Sequence, residues 1–153
     1  MANTKFPFFR QLDGMDCGPS CLCMVAKYYE KSFSVQQLRE KSNIQRMGVN
    51  LLCLSKAAES IGLRTMCVRI SIKKLKEKAK LPCILHWKQN HFVVLYKINK
   101  RKDKWFFYIA DPAYGLIKYE EHEFINCWIT TVSDGTEKGV VMLLETIPQF
   151  YEA

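Results

Sequence analysis

The apolar positions of the chain change period near its middle. In the first half they recur three and four apart. After Asp16 they fall at Cys21, Met24, Val25 and Tyr28, which is helical spacing. "SVQQLREKS" opens with Ser34 and carries Gln37 three residues on, the pattern of a capping box, and predicts a second helix. "VNLLCLSKAAESIGL" puts Leu51, Leu54, Ala58 and Ile61 on one stripe, with Gly62 placed to end that helix. In the second half the pattern shortens. "LRTMCVRI" alternates weakly and predicts a strand, and "IKKLKEKAK" predicts a short basic helix. "PCILHW", "HFVVLYKI", "KWFFYIAD" and "GLIKY" predict four strands. "EEHEFINCW" predicts a turn or two of helix, "TTVSDGTEKG" (residues 130–139) a polar hairpin loop, and "GVVMLLETI" a closing strand. Helices first and mostly antiparallel strands afterwards predict an α+β fold, in one domain over residues 1–153.

Composition narrows the class. Hydrophobic residues make up 48% and charged residues 25%, so the chain has enough apolar surface to fold. The net charge of +8 is concentrated in "KKLKEKAK" and "KINKRKDK", which read as a solvated helix face and a solvated loop. No nucleic-acid-binding motif accompanies them, so no nucleic-acid partner is expected. No apolar run approaches the roughly 18 residues that a membrane span needs. The seven cysteines follow no signal peptide, which predicts reduced thiols in a cytosolic compartment. None of them forms a C-x2-C pair, so neither a metal nor another cofactor is expected.

One thiol stands in an unusual setting. "QLDGMDCGPSCL" places Cys17 just ahead of the first helix, with Pro19 two residues later. Proline is tolerated only in the first turn of a helix, where N–H groups have no intrahelical partner. The helix must therefore begin close before Pro19, with Asp16 as N-cap and Cys17 as its first residue. The thiol then faces the positive end of the helix dipole, which favours the thiolate. Gly18 leaves room for another backbone to approach the sulfur. Gln11, six residues upstream, is placed to donate its amide to a developing oxyanion beside the backbone N–H of Cys17.

A thiolate nucleophile needs a base. Of the three histidines, His122 lies in the charged "EEHEF", and His86 reads as a core or turn residue. His91 opens the strand "HFVVLYKI" at a rim. If that strand and "KWFFYIAD" form a hairpin around a five-residue loop, "NKRKD", the paired numbers sum to 202. Tyr96 then meets Phe106, Leu95 meets Phe107, Val93 meets Ile109, and His91 meets Asp111. Directly opposed side chains lie about 4.5–5.5 Å apart at Cβ, the reach a carboxylate needs to orient an imidazole. The expected chemistry is acyl transfer. Cys17 attacks a carbonyl, Gln11 and the Cys17 N–H hold the oxyanion, Asp111 orients His91, and His91 protonates the leaving amine.

With these residues in place, the chain resembles the C39 family of bacterial cysteine peptidases, the N-terminal peptidase domains of peptidase-containing ABC exporters. The resemblance runs through "QLDGMDCGPSCLCMVAKYY", "GVNLLCLSKAAESIGLRT", "LPCILHWKQNHFVVLYKI", "ADPAYGLI" and "LLETIPQFY". It implies a papain-like fold, with Cys17 as nucleophile, His91 as base, Asp111 as orienter and Gln11 in the oxyanion hole. It also implies a substrate: a precursor peptide whose leader ends in a Gly-Gly or Gly-Ala pair and carries apolar residues on a helix. The implied partners are the transmembrane and ATPase domains of an exporter on the cytoplasmic side of the inner membrane, with ATP and magnesium confined to the ATPase. "TIPQFYEA" then reads as the start of a linker. Residues 43–54 and the strand rim are the expected leader contacts. Glu30 departs from the family, where glycine often follows the paired tyrosines, and the 130–139 loop is longer than usual. A non-catalytic leader-binding module and a free-standing maturation protease are the alternatives; the presence of Cys17 speaks against the first.

Overall fold

The computed structural model describes residues 6–11, 17–41, 51–88 and 91–151. Three helices come first: α1 (Cys17–Tyr28), α2 (Val35–Lys41) and α3 (Leu51–Ser60). They are followed by β1 (Leu63–Ile70), α4 (Ile72–Lys78), β2 (Cys83–Trp87), β3 (His91–Arg101), β4 (Lys104–Asp111) and β5 (Gly115–Glu120). The chain continues through α5 (Glu121–Trp128), β6 (Ile129–Ser133) and β7 (Thr136–Thr146) to a short 3-10 turn, Pro148–Tyr151. The strands form one antiparallel sheet in the order β1-β7-β2-β3-β4-β5, with β6 pairing on β7.

The sheet is covered on both faces. Ile84, Phe92, Val94, Ala110, Met142 and Leu144 pack against α1, α2 and α3. Their strand neighbours Leu85, Val93, Leu95, Ile109 and Val141 pack against Leu75 of α4 and Phe124 and Trp128 of α5. Successive strand residues point to opposite faces. Two covered faces therefore turn an alternating pattern into the unbroken apolar runs "CIL" and "FVVL".

Helix α1 is the innermost helix. Every residue from Cys17 to Ala26 is buried, so the expected one-sided stripe is replaced by burial all round, and Tyr28, expected on the buried stripe, is 49% exposed. The helix begins at Cys17, as Pro19 requires; the expected N-cap Asp16 lies outside the described residues. At its far end the Lys31 N–H donates to the Ala26 carbonyl at 2.9 Å, and the Glu30 N–H to that of Lys27 at 2.8 Å. This is a Schellman cap, and Glu30 occupies its left-handed position at φ 72°. The capping box of α2 forms in both directions: the Gln37 N–H donates to Ser34 Oγ at 3.0 Å, and the Ser34 N–H to Gln37 Oε1 at 2.8 Å. Gly62 ends α3 at φ 95°, and a Cβ there would lie 2.5 Å from the backbone of Phe150.

Two expectations fail in the hairpins. The β3–β4 connection is a two-residue turn, Lys102–Asp103, with φ 52° and 66°, instead of a five-residue loop. Two positive φ values suit the right-handed twist of the paired strands. Leu95 therefore faces Ile109 instead of Phe107, and Phe106 faces Asn99 instead of Tyr96. An irregularity between Leu95 and Lys97 shifts the register once more. Residues 130–139 are likewise mostly strand: β6 and β7 close around Asp134–Gly135, at φ 53° and 75°. The Asp-Gly pair is a strong hairpin signal, and it converts the supposed loop into an extension of the sheet.

Glu30 holds a conformation that costs a side-chain-bearing residue about 1 kcal/mol. Glu30→Gly is expected to raise stability by that order, or about 2–4 °C in Tm. Thermal unfolding followed by circular dichroism measures it.

Candidate active site

Three elements bring their ends to one place. Cys17 is the first residue of α1, His91 the first of β3, and Asp111 the last of β4. The β3–β4 ladder ends at Val94–Ala110, and the two side chains meet beyond it. His91 Nε2 donates to Asp111 Oδ1 at 2.7 Å. The expected pairing sum of 202 is not the one that joins them, since near this end the sum is 204. The contact forms from offset positions.

The Cys17 thiol lies close enough to the His91 ring to act on its protonation. With Nε2 engaged by Asp111, Nδ1 is the nitrogen left for the thiol. Burial opposes protonation of the ring. The hydrogen bond to Asp111 and the nearby Cys17 thiol, together with their charges, overcome it and raise the His91 pKa to about 9. An imidazole held at one nitrogen by a carboxylate and turned at the other towards a sulfur is an arrangement that can serve a cysteine nucleophile. The Asp111 side chain is only 3% exposed, against 21% for His91, so the carboxylate is shielded while the imidazole keeps an opening.

The Asp111 carboxylate is itself held. The Ala113 N–H donates to the same Oδ1 at 2.9 Å, and the Tyr114 N–H donates to the Asp111 carbonyl at 3.0 Å. The "DPAYG" turn thus fixes the carboxylate by an Asx-type bond. Gln11 reaches this turn from the N-terminal segment: its backbone N–H donates to the Pro112 carbonyl at 2.9 Å. Its side-chain Oε1 is buried.

The other candidates lie apart from this cluster. His86 stacks on Phe92 with ring centroids 4.9 Å apart, and His122 is exposed on α5. Cys21 and Cys83 are fully buried, and burial pushes both thiols up; Cys23 rises to about 12 for the same reason. Of the expected leader contacts, residues 43–50 lie outside the described residues, while Leu51–Leu54 belong to α3. Among the described residues no cluster of His, Cys, Asp or Glu is arranged to hold a metal ion. No described helix is long and apolar enough to cross a membrane. Arg10 was not singled out from the sequence. Its guanidinium donates to the Ala113 carbonyl at 2.9 Å, across 103 residues, a contact that no local pattern encodes.

A helix-borne thiol set against a strand-borne His–Asp pair, on this order of helices and antiparallel sheet, defines a papain-like cysteine peptidase. A family model described as the peptidase C39 family matches residues 5–134, and the chain belongs to that family. A crystal structure of a double glycine motif protease from an AMS/PCAT transporter, in complex with the leader peptide, superposes with a TM-score of 0.78 at 35% identity. The match covers 94% of this chain and 93% of that one. The peptidase domain of Streptococcus ComA, a bi-functional ABC transporter, shares the fold with a TM-score of 0.76 at 23% identity, over 94% of this chain and all of that one. Among curated relatives, the colicin V secretion/processing ATP-binding protein CvaB of Escherichia coli is 31% identical over 143 residues, 94% of this chain and 20% of its own length. The lactococcin-G-processing and transport ATP-binding protein LagD of Lactococcus lactis subsp. lactis is 34% identical over 123 residues, 77% of this chain and 17% of its own length. The chain thus spans about a fifth of the length of the curated relatives it matches.

The raised His91 pKa has a consequence for folding. Protonation is favoured in the folded state, so the stabilisation from the pair is fully present below about 6.5 and is lost as pH rises through about 9. Asp111→Asn removes the carboxylate charge and is expected to lower the His91 titration midpoint and flatten this alkaline loss. NMR titration of the ring and urea unfolding between pH 6 and 10 report the two effects; a midpoint unchanged by the substitution contradicts this assignment.

Proposed function

We propose that this chain is the leader-peptidase domain of an ABC exporter, cutting a precursor peptide after a double-glycine-type leader on the cytoplasmic side of the membrane. The observation that carries the reading is the Cys17–His91–Asp111 constellation at the start of a buried helix. It occurs on a chain that matches a leader-bound double glycine protease over nearly its full length. The length of the curated relatives supports a place within a longer exporter, whose transmembrane and ATPase parts are the proposed partners. ATP and magnesium belong to the ATPase part, and no step below uses them.

Catalysis follows from the geometry. The Cys17 thiolate, paired with protonated His91, adds to the carbonyl carbon of the second small residue, the last residue of the leader. The oxyanion that forms is held by the Cys17 N–H at the helix start and by the Gln11 side-chain amide. As the tetrahedral centre collapses, the C–N bond breaks and His91 gives its proton to the leaving amine. A thioester to Cys17 remains. Neutral His91 then takes a proton from water, which attacks the thioester and releases the leader. Asp111 keeps the ring aligned through both half-reactions. Cys17 is only 6% exposed, and a narrow approach of this kind suits a substrate with small residues at the cut.

Cys17→Ala is expected to abolish cleavage of a Gly-Gly precursor while the leader still binds. Rate should fall by at least about 10³-fold, the scale for loss of a nucleophile. Mass spectrometry of the products and fluorescence anisotropy of a labelled leader read the two effects. Continued cleavage by the alanine variant defeats the mechanism. A wild-type chain that binds the leader without cutting it favours the binding-module reading.

A further inference from the structure

Arg10 and Gln11 together grip the turn that carries Asp111. The Gln11 N–H donates to the Pro112 carbonyl at 2.9 Å, and Arg10 Nη1 donates to the Ala113 carbonyl at 2.9 Å. That carbonyl belongs to the peptide unit whose N–H, on Tyr114, donates to the Asp111 carbonyl at 3.0 Å. A charged donor on the oxygen of a peptide polarises its N–H, so the two bonds reinforce each other. The N–H of Ala113 donates to Asp111 Oδ1, the oxygen that receives His91 Nε2. The guanidinium carbon also lies 5.8 Å from the centre of the Phe8 ring, a second contact that restrains the side chain.

We infer that Arg10 is a positioning residue for the peptidase centre. It seats the turn of residues 111–115 on the N-terminal segment, so that the carboxylate orienting His91 and the amide proposed for the oxyanion move as one unit. The inference rests on the proposed peptidase reading. Arg10 touches no reacting atom and acts through the Ala113–Tyr114 peptide. Its side chain is exposed, so its removal leaves both cores intact. A loosened turn lets the carboxylate drift from His91, and misplacement of a catalytic group by about 1 Å costs up to about 100-fold in rate.

The test compares wild type, Arg10→Ala and Arg10→Lys. Steady-state cleavage of a double-glycine precursor gives kcat and KM, and NMR titration of His91 needs no substrate. Arg10→Ala is expected to lower kcat roughly tenfold with little change in KM, and to move the His91 midpoint down from about 9. The groups facing that ring are Asp111 and Cys17, and both remain. Arg10→Lys keeps a charged donor and is expected to restore part of both effects. A merely structural contact would lower Tm and leave kcat per folded molecule and the His91 titration where they were; that result overturns the inference. If wild type fails to cleave, the functional reading falls, and the His91 titration still decides the role of Arg10.

Discussion

The hydrogen bond from His91 to Asp111 has one end on each of two neighbouring strands. It therefore exists only while the sheet holds its register at that end. Everything around it serves that condition. Two apolar layers clamp the sheet from both sides, so a slip of either strand by one residue would exchange its two sets of buried side chains. The "DPAYG" turn adds a local lock by directing the Ala113 N–H at the carboxylate oxygen that His91 uses. A base held by a buried carboxylate can stay protonated at neutral pH and still face a thiol.

The third member comes from the opposite layer. Helix α1 is buried along its first ten residues, which fixes the position of its N-terminus against β3. That placement matters because the field of a helix end acts only over its first turn. Pro19 prevents the helix from starting more than about a turn earlier, and the buried body prevents it from sliding. Among the described residues, the buried Ser20 Oγ, one turn in from the thiol, meets no hydrogen-bond partner.

Much of this was readable in the sequence, and the omissions have physical causes. The helix start followed from one proline, the α2 cap from Ser34 and Gln37, and the α+β order from the change in hydrophobic period. The β3–β4 register did not follow. Lys102 and Asp103 make a two-residue turn without the glycine or asparagine that usually signals one, and the irregularity after Leu95 leaves no mark in the composition. His91 and Asp111 were paired from the wrong register and still meet, because both sit at strand ends, where side chains have room to reach across. Burial all round α1 was hidden as well: Cys21, Met24, Val25 and Tyr28 read as a single buried stripe, whereas Gly18, Ser20, Leu22 and Cys23 outside it are buried too. The grip of Arg10 on Ala113 joins residues far apart in the chain, and only the folded turn brings them together.

On the proposed mechanism, placement next to imidazolium, and not exposure, makes Cys17 the reactive thiol. Cys67 offers the contrast: it is exposed on β1, and burial of part of its side chain with the nearby Glu59 charge pushes its thiol up. Cys17 is almost fully buried. Brief alkylation of the folded protein with iodoacetamide near pH 6, mapped by peptide mass, decides between them. The account predicts that Cys17 is modified first, ahead of Cys67. Modification of Cys67 first, with Cys17 spared, would contradict it.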